Sequence, residues 1–303
     1  MPQQKMNITI KVPATSANLG PGFDALGLAL DLWNETTVTP DEEFAITVTG
    51  EGTDRLAPGK NNLIVRSAQK LADYVGKPLL PFHAKCVNRV PLSSGMGSSS
   101  AAILTGLLAG NALLDDPLSR EEILNFAAEM EGHPDNVAPA LLGGLVVAII
   151  EEGKVIARQI PIRMDVCITI VLPDFYLPTK QARAALPKRI PMKNAVHNIS
   201  RAVLVTEAFR TGDLELLGKA MTDTLHQPYR LKLIPGAVSA METAKEAGAS
   251  AVALSGAGPS LIAFSKTEST IGESMKRAFE SEGLKARVFS LKVNAEGADV
   301  QKE

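Results

Sequence analysis

Apolar and polar positions alternate along residues 7–12, where β-branched side chains dominate, and this period of two predicts a strand. A corner of turn residues follows, with Pro13, Asn18, Gly20, Pro21 and Gly22, and the strand pattern resumes at about Leu26. Residues 44–49 predict a third strand. Over residues 61–76 the apolar spacing changes to three and four, the mark of an amphipathic helix, closed by Gly76 and Pro78. Residues 82–90 return to a strand and residues 101–114 form an apolar helical run. Ser119 and Glu122 form a capping-box pair, opening a helix that stops at Gly132. Residues 145–150 and 165–173 predict strands, after which the pattern turns helical over 180–186, 195–211, 213–225 and 235–248. Residues 251–265 read as strand, Gly-rich turn and strand, 271–283 as a helix and 286–293 as a last strand. This change of character predicts two lobes, residues 1–160 and 161–303, with a ligand between them.

The joint between the strand at 82–90 and the apolar helix, PLSSGMGSSSAA, carries the clearest chemistry. Gly95 and Gly97 let the backbone approach a ligand, and the serines after them stand where a helix begins. Unpaired N–H groups and the positive end of the helix dipole then face the loop, an arrangement suited to phosphate. The loop is not a Walker A sequence, because no Gly-Lys pair is followed by Ser or Thr. A second informative stretch, EGHPDNVAPALLGG, crowds Glu131, His133, Asp135 and Asn136 into six residues. These groups suit a helix cap, and equally the one or two protein oxygens that Mg²⁺ takes beside phosphates and water. Asn18 and Asp24 are the polar side chains of the first corner, with turn-capping as their plainer role. Thr179, Arg183 and Arg230 lie at or near element ends, where a forked donor would serve an anionic substrate.

Composition narrows the setting. With 303 residues, 21% of them charged, and a formal net charge of −2, nothing invites nucleic acid or an anionic membrane. Cys86 and Cys167 fall in strand-like runs and read as reduced, buried thiols, which with no leader or apolar span predicts a cytoplasmic protein.

Three stretches in this order, PATSANLGPGFDALG, PLSSGMGSSSAA and LSGAGPSLIAF, resemble the GHMP family of small-molecule kinases. The first, taken with EGHPDNVAPALLGG, resembles the family's homoserine kinase branch. The resemblance implies an α+β, two-lobed GHMP kinase fold, with an N-terminal lobe like ribosomal protein S5 domain 2 and a ferredoxin-like C-terminal lobe. It implies ATP-dependent phosphorylation of the side-chain hydroxyl of L-homoserine, a step of threonine biosynthesis, with ATP and Mg²⁺ bound and a homodimer as the assembly. Pro91, Leu92, Ser93, Ser94, Gly95, Met96, Gly97, Ser98, Ser99, Ser100 and Ala101 would wrap the triphosphate, with Asn62 near the adenine. Ser99 and Glu131 would hold the metal. Asn18, Asp24, His133, Asp135, Asn136, Thr179, Arg183 and Arg230 would surround the amino acid, backed by Gly256 and Gly258. Asn136 would orient the hydroxyl, with Asp135 as the rival candidate for a base.

Overall fold

The computed structural model describes residues 7–163, 165–267 and 270–303. Residues 1–6, which open the stretch read as carrying no leader, lie outside the described residues. Strand β1 (Ile8–Ala17) runs past the predicted end at Val12, because its pairing with β2 (Leu26–Pro40) shifts register between Pro13 and Ala14. Proline has no N–H to give to a ladder, and a bulge is where that loss costs least.

Strands β3 (Ala45–Gly50) and β4 (Phe82–Asn88) pair in parallel, with α1 (Leu63–Val75) in the connection between them. Helices α2 (Ser98–Leu113), α3 (Arg120–Glu131) and α4 (Val137–Leu142) follow. Both halves of the Ser119–Glu122 capping box form. The hairpin of β5 (Leu145–Glu151) and β6 (Lys154–Ile160) extends the sheet beside the start of β2. Strand β6 went unread in the sequence, although Glu152 and Gly153 at positive φ form the two-residue turn that such a hairpin needs.

Strand β7 (Cys167–Pro173) opens the second half, followed by α5 (Thr179–Ala184), α6 (Met192–Thr211), α7 (Leu214–Ala220), α8 (Gln227–Arg230) and α9 (Ala237–Glu246). Then come β8 (Ala251–Leu254), β9 (Leu261–Ser265), α10 (Ile271–Ser281), β10 (Ala286–Leu291) and β11 (Asp299–Lys302). The helix expected over 213–225 ends at Ala220. The carboxylate of Asp223 accepts from the N–H groups of Leu225, His226 and Gln227 and so starts a new turn.

The first sheet has the order β11-β1-β2-β4-β3, and the second, fully antiparallel, has the order β10-β7-β9-β8. The C-terminal strand β11 therefore returns to the first sheet. Being short and charged, it gave no period for the sequence to show.

One apolar core, with Leu71, Phe82, Leu104 and Leu107, lies between the first sheet and α1 to α4. A second, joining Leu28, Leu30 and Leu145 to Ile168, Phe209 and Phe264, welds the two sheets together. A third packs α9 and α10 on the second sheet through Met275 and Phe279. Cys86 is buried, Cys167 half-buried, and both are free thiols. No helix among the described residues is long and apolar enough to cross a membrane.

Candidate active site

Three chain segments are laced together by backbone hydrogen bonds where the two sheets meet. Thr15 N–H donates to Met96 O, Ser260 N–H to Ser94 O, and Gly256 N–H to Ala17 O. Ser255 Oγ, fully buried, lies 2.8 Å from Gly95 O and 2.9 Å from Ser16 Oγ. The β1–β2 corner, the Gly/Ser loop and the Gly-rich turn between β8 and β9 are thus one structure. Gly97, at φ +73°, precedes α2, and a Cβ there would lie 2.1 Å from Thr15 Oγ1. Only glycine fits that position.

Helix α1 is capped by the Asn62 side chain and α3 by Ser119, but α2 starts at Gly97 with no side-chain cap. The N–H groups of its first turn, Ser98 to Ser100, are left for an anion, where the helix dipole adds to the attraction. Ser99 Oγ donates to Glu131 Oε2 at 3.0 Å, joining the start of α2 to the end of α3.

A cleft of about 160 Å³ opens beside this helix start. It is lined by Asn18, Asp24, Ser93, Ser94, Gly95, Gly97, Ser98, Ser99, Glu131, His133, Asp135, Asn136, Thr179, Arg183, Arg230, Gly256 and Gly258, every residue that the sequence nominated for the amino acid. A second cleft, of about 390 Å³, shares Ser93, Ser98 and Ser99 with the first and extends past Leu92 to Asn62, Ile46, Leu63 and Ile64. Pro91 and Leu92 also border a groove on the outer side of the loop. Met96, Ser100 and Ala101 are fully buried behind the loop and line neither cleft.

Several side chains are already committed. Asn62 Oδ1 accepts from Ile64 N–H and its Nδ2 donates to Ala57 O, which leaves its amide to the protein's own backbone. Asn18 accepts from Asp24 N–H and donates to Gly256 O, holding Asp24 at φ +55°. Asn136 Oδ1 accepts from Thr15 Oγ1 at 2.7 Å, so its Nδ2 is the free end. Asn136 begins α4 without a side-chain cap, and Asp135 is no cap either: its Oδ1 lies 2.6 Å from His133 Nδ1. Burial alone would lower the pKa of His133, but the hydrogen bond and charge of Asp135, with Glu131 and Asp24 beyond, raise it.

Two of the charges that the resemblance places around the amino acid meet each other here. Arg183 makes a bidentate pair with Asp24, at 2.8 and 3.0 Å, which raises the arginine's pKa. Arg230 is 1% exposed and has no carboxylate at ion-pair distance among the described residues. Burial, then the charge of Arg183, pull its pKa down to about 10.

Sequence reading missed what holds this cation. Phe23 lies beneath both guanidinium groups, at 5.6 Å from Arg183 and 5.2 Å from Arg230, and stacks on His226 at 5.2 Å. His226 is fully buried; its Nε2–H donates to Gly20 O at 2.8 Å, which leaves Nδ1 facing Arg230 Nη1 at 3.4 Å. Burial lowers the pKa of His226, consistent with a neutral ring beside a cation. The sequence signal was present in both cases: an aromatic ring one residue before Asp24, and a histidine four residues before Arg230.

The family described as GHMP kinases N terminal domain matches residues 62–144, and GHMP kinases C terminal matches residues 205–281. The chain is 42% identical to a homoserine kinase of Moorella thermoacetica over 292 residues, 96% of this chain and 99% of the relative. It is 43% identical to a homoserine kinase of Carboxydothermus hydrogenoformans, covering 96% of each chain. The crystal structure of homoserine kinase from Cytophaga hutchinsonii superimposes with a TM-score of 0.87, at 30% identity and 99% coverage of both chains.

Proposed function

The chain belongs to the GHMP kinase family, and we propose that within it this protein phosphorylates the side-chain hydroxyl of L-homoserine with ATP. The product is O-phospho-L-homoserine, on the route to threonine. One observation carries the reading: an uncapped helix start opens into the same cleft as a carboxylate and two arginines, one of them without an acidic partner. Homoserine presents an ammonium, a carboxylate and a hydroxyl, and the cleft has a group for each. Asp24 takes the ammonium, Arg183 and Arg230 the carboxylate. Entry of the zwitterion exchanges the Arg183–Asp24 pair for a partner to each.

The division of labour follows the proposed lobes, residues 1–160 and 161–303. The first carries the phosphate loop and Asp24, the second the two arginines and the Gly-rich turn behind the substrate. The second cleft takes the adenine. Its apolar wall and the prior commitments of Asn62 favour recognition of the base by shape.

Phosphoryl transfer proceeds through a loose transition state, so positioning and charge neutralisation supply most of the catalysis. The α2 amides face the phosphates. Asn136 donates Nδ2–H to the substrate hydroxyl oxygen and aligns it for attack; Thr15 fixes which end of the amide points inward. The His133–Asp135 pair keeps the Asp135 carboxylate occupied, which argues against it as a base. Ser99 and Glu131 would hold Mg²⁺, which when bound offsets charge on the phosphate oxygens. The donor set fits that ion: one hydroxyl and one carboxylate together, and no cluster of three acidic, His or Cys groups among the described residues.

The test is ADP release from MgATP with L-homoserine, mevalonate and galactose in parallel. Turnover with homoserine alone is expected; turnover with another alcohol alone would move the substrate assignment. Asn136→Ala should lower kcat without changing the shape of its pH profile. Loss of an acidic limb in Asp135→Asn would restore a general-base role for that carboxylate.

A further inference from the structure

The second cleft has a pair of amides on its floor that the phosphate loop and the amino-acid site leave unused. The floor is the face of β2 and β4 on which Thr36 stands opposite Cys86, both buried. Alternation along the two strands carries that face on to Asn34 and Asn88, opposite each other one step beyond the Glu35–Val87 pair. Both line the cleft, Asn34 buried and Asn88 half-buried.

The backbone fixes which end of each amide is free. Asn34 Oδ1 accepts from Arg89 N–H at 2.8 Å and from Val90 N–H at 2.9 Å, so its Nδ2 is left with no partner among the described residues. Asn88 Nδ2 donates to Glu51 O at 3.2 Å, and Glu51 N–H donates back to Asn88 O, so Asn88 Oδ1 is the open end. Turning either amide over would set donor against donor or acceptor against acceptor. Neither free end is sealed in the interior: among the described residues the buried, unpartnered side-chain atoms belong to Ser100, Arg201 and Ser260. Cβ atoms at opposite positions of an antiparallel pair stand ~5 Å apart, close enough for two amide ends to address neighbouring atoms of one ring.

Given the base of ATP in this cleft, as read above, we propose that Asn34 and Asn88 identify that base and select an adenine nucleotide as the phosphoryl source. Adenine presents an amino group beside a ring-nitrogen acceptor, and an amide donor and an amide acceptor side by side match that edge. Asn34 Nδ2–H donates to the ring nitrogen, and Asn88 Oδ1 accepts from the amino group. Hypoxanthine and guanine carry an oxo oxygen in place of that amino group, and it would meet Asn88 Oδ1 acceptor to acceptor. The apolar wall with Ile46, Leu63 and Ile64 sets the plane of the ring, and the two asparagines set its identity. Asn62, with both ends of its amide on backbone groups, is left as part of the wall.

Isothermal titration calorimetry without homoserine tests this, with ATP, inosine triphosphate and tripolyphosphate as probes, each as its Mg²⁺ complex. Tripolyphosphate can occupy the helix start but offers no base. The wild type should bind ATP at least about tenfold more tightly than inosine triphosphate. Asn34→Asp keeps an oxygen for the Arg89 and Val90 amides and turns the free donor into an acceptor. It should melt near the wild type, weaken ATP about tenfold and leave tripolyphosphate within about twofold. Asn88→Ala should bring ATP and inosine triphosphate to within about threefold of each other. A wild type that binds both nucleotides equally overturns the proposal. So does an Asn34→Asp that keeps its ATP affinity or loses ATP and tripolyphosphate alike, or an Asn88→Ala that keeps the wild-type preference. Turnover of homoserine with ATP could persist in each of those cases, so the kinase reading stands or falls separately.

Discussion

Replacing Arg230 by methionine should leave the free protein at least as stable while disabling its use of homoserine. The guanidinium is 1% exposed, and its pKa falls from the ordinary arginine value to about 10, first through burial and then through Arg183. A drop of roughly 2.5 at about 1.4 kcal/mol per unit amounts to about 3 kcal/mol. That burden is carried in full below about pH 10, where the buried group is charged, and lifts only as pH rises beyond it. Against it stand three long hydrogen bonds, 3.5 Å to Ala182 O, 3.2 Å to Gly256 O and 3.4 Å to His226 Nδ1, and the Phe23 ring beneath the guanidinium, together about 2–3 kcal/mol. Gly256 O keeps its donor in Asn18. Methionine fills a similar volume without charge, so a net change between zero and a gain of about 1 kcal/mol is expected, at most a few degrees in Tm. Losing one arm of the proposed carboxylate clamp should raise KM for homoserine about 100-fold, or about 3 kcal/mol, with KM for ATP unchanged. Differential scanning calorimetry of the free protein and steady-state kinetics with each substrate varied read both effects. A variant that melts well below the wild type and keeps its homoserine KM would refute the reasoning.

Three further outcomes follow from the same geometry. Asp24→Asn removes the proposed ammonium partner and should raise KM for homoserine at least about tenfold; an unchanged KM would count against the substrate assignment. His226→Gln should raise homoserine KM about tenfold with kcat nearly unchanged, since the ring positions Arg230 and the corner. The ring's folded pKa lies below its unfolded 6.5, so it contributes stability above that pH which is lost as pH falls below it; melting of the variant should depend less on pH in that range. Gly97→Ala places a Cβ 2.1 Å from Thr15 Oγ1 at φ +73° and should cost about 1–3 kcal/mol in unfolding experiments and abolish turnover.

Much of this was legible beforehand, and the residues explain why. Amphipathic periods, the capping box at Ser119 and the Gly76 stop are local signals, and each lies where the sequence put it. The Gly/Ser loop was legible because two glycines that admit a close backbone approach stand immediately before a helix start, a signal local in sequence. Strand β11 was not, since its pairing with β1 joins residues nearly 300 apart and its four residues carry no period. The end of α7 at Ala220 depended on a carboxylate, Asp223, that competes for the next turn's amides. In the site, the nominated side chains line one cleft, but their partners required coordinates. Sequence cannot show that Asp24 and Arg183 satisfy each other, or that Arg230 has no acid at ion-pair distance among the described residues. Nor does it show that Phe23 and His226 support both arginines from behind.

Phosphoryl transfer to homoserine is read most directly by ³¹P NMR of the purified protein with MgATP and L-homoserine. Transfer to the side-chain hydroxyl gives a new phosphomonoester resonance, split by the two protons of the side-chain methylene, growing as the γ-phosphate of ATP disappears. Inorganic phosphate with no ester signal, or no loss of ATP at all, would contradict it.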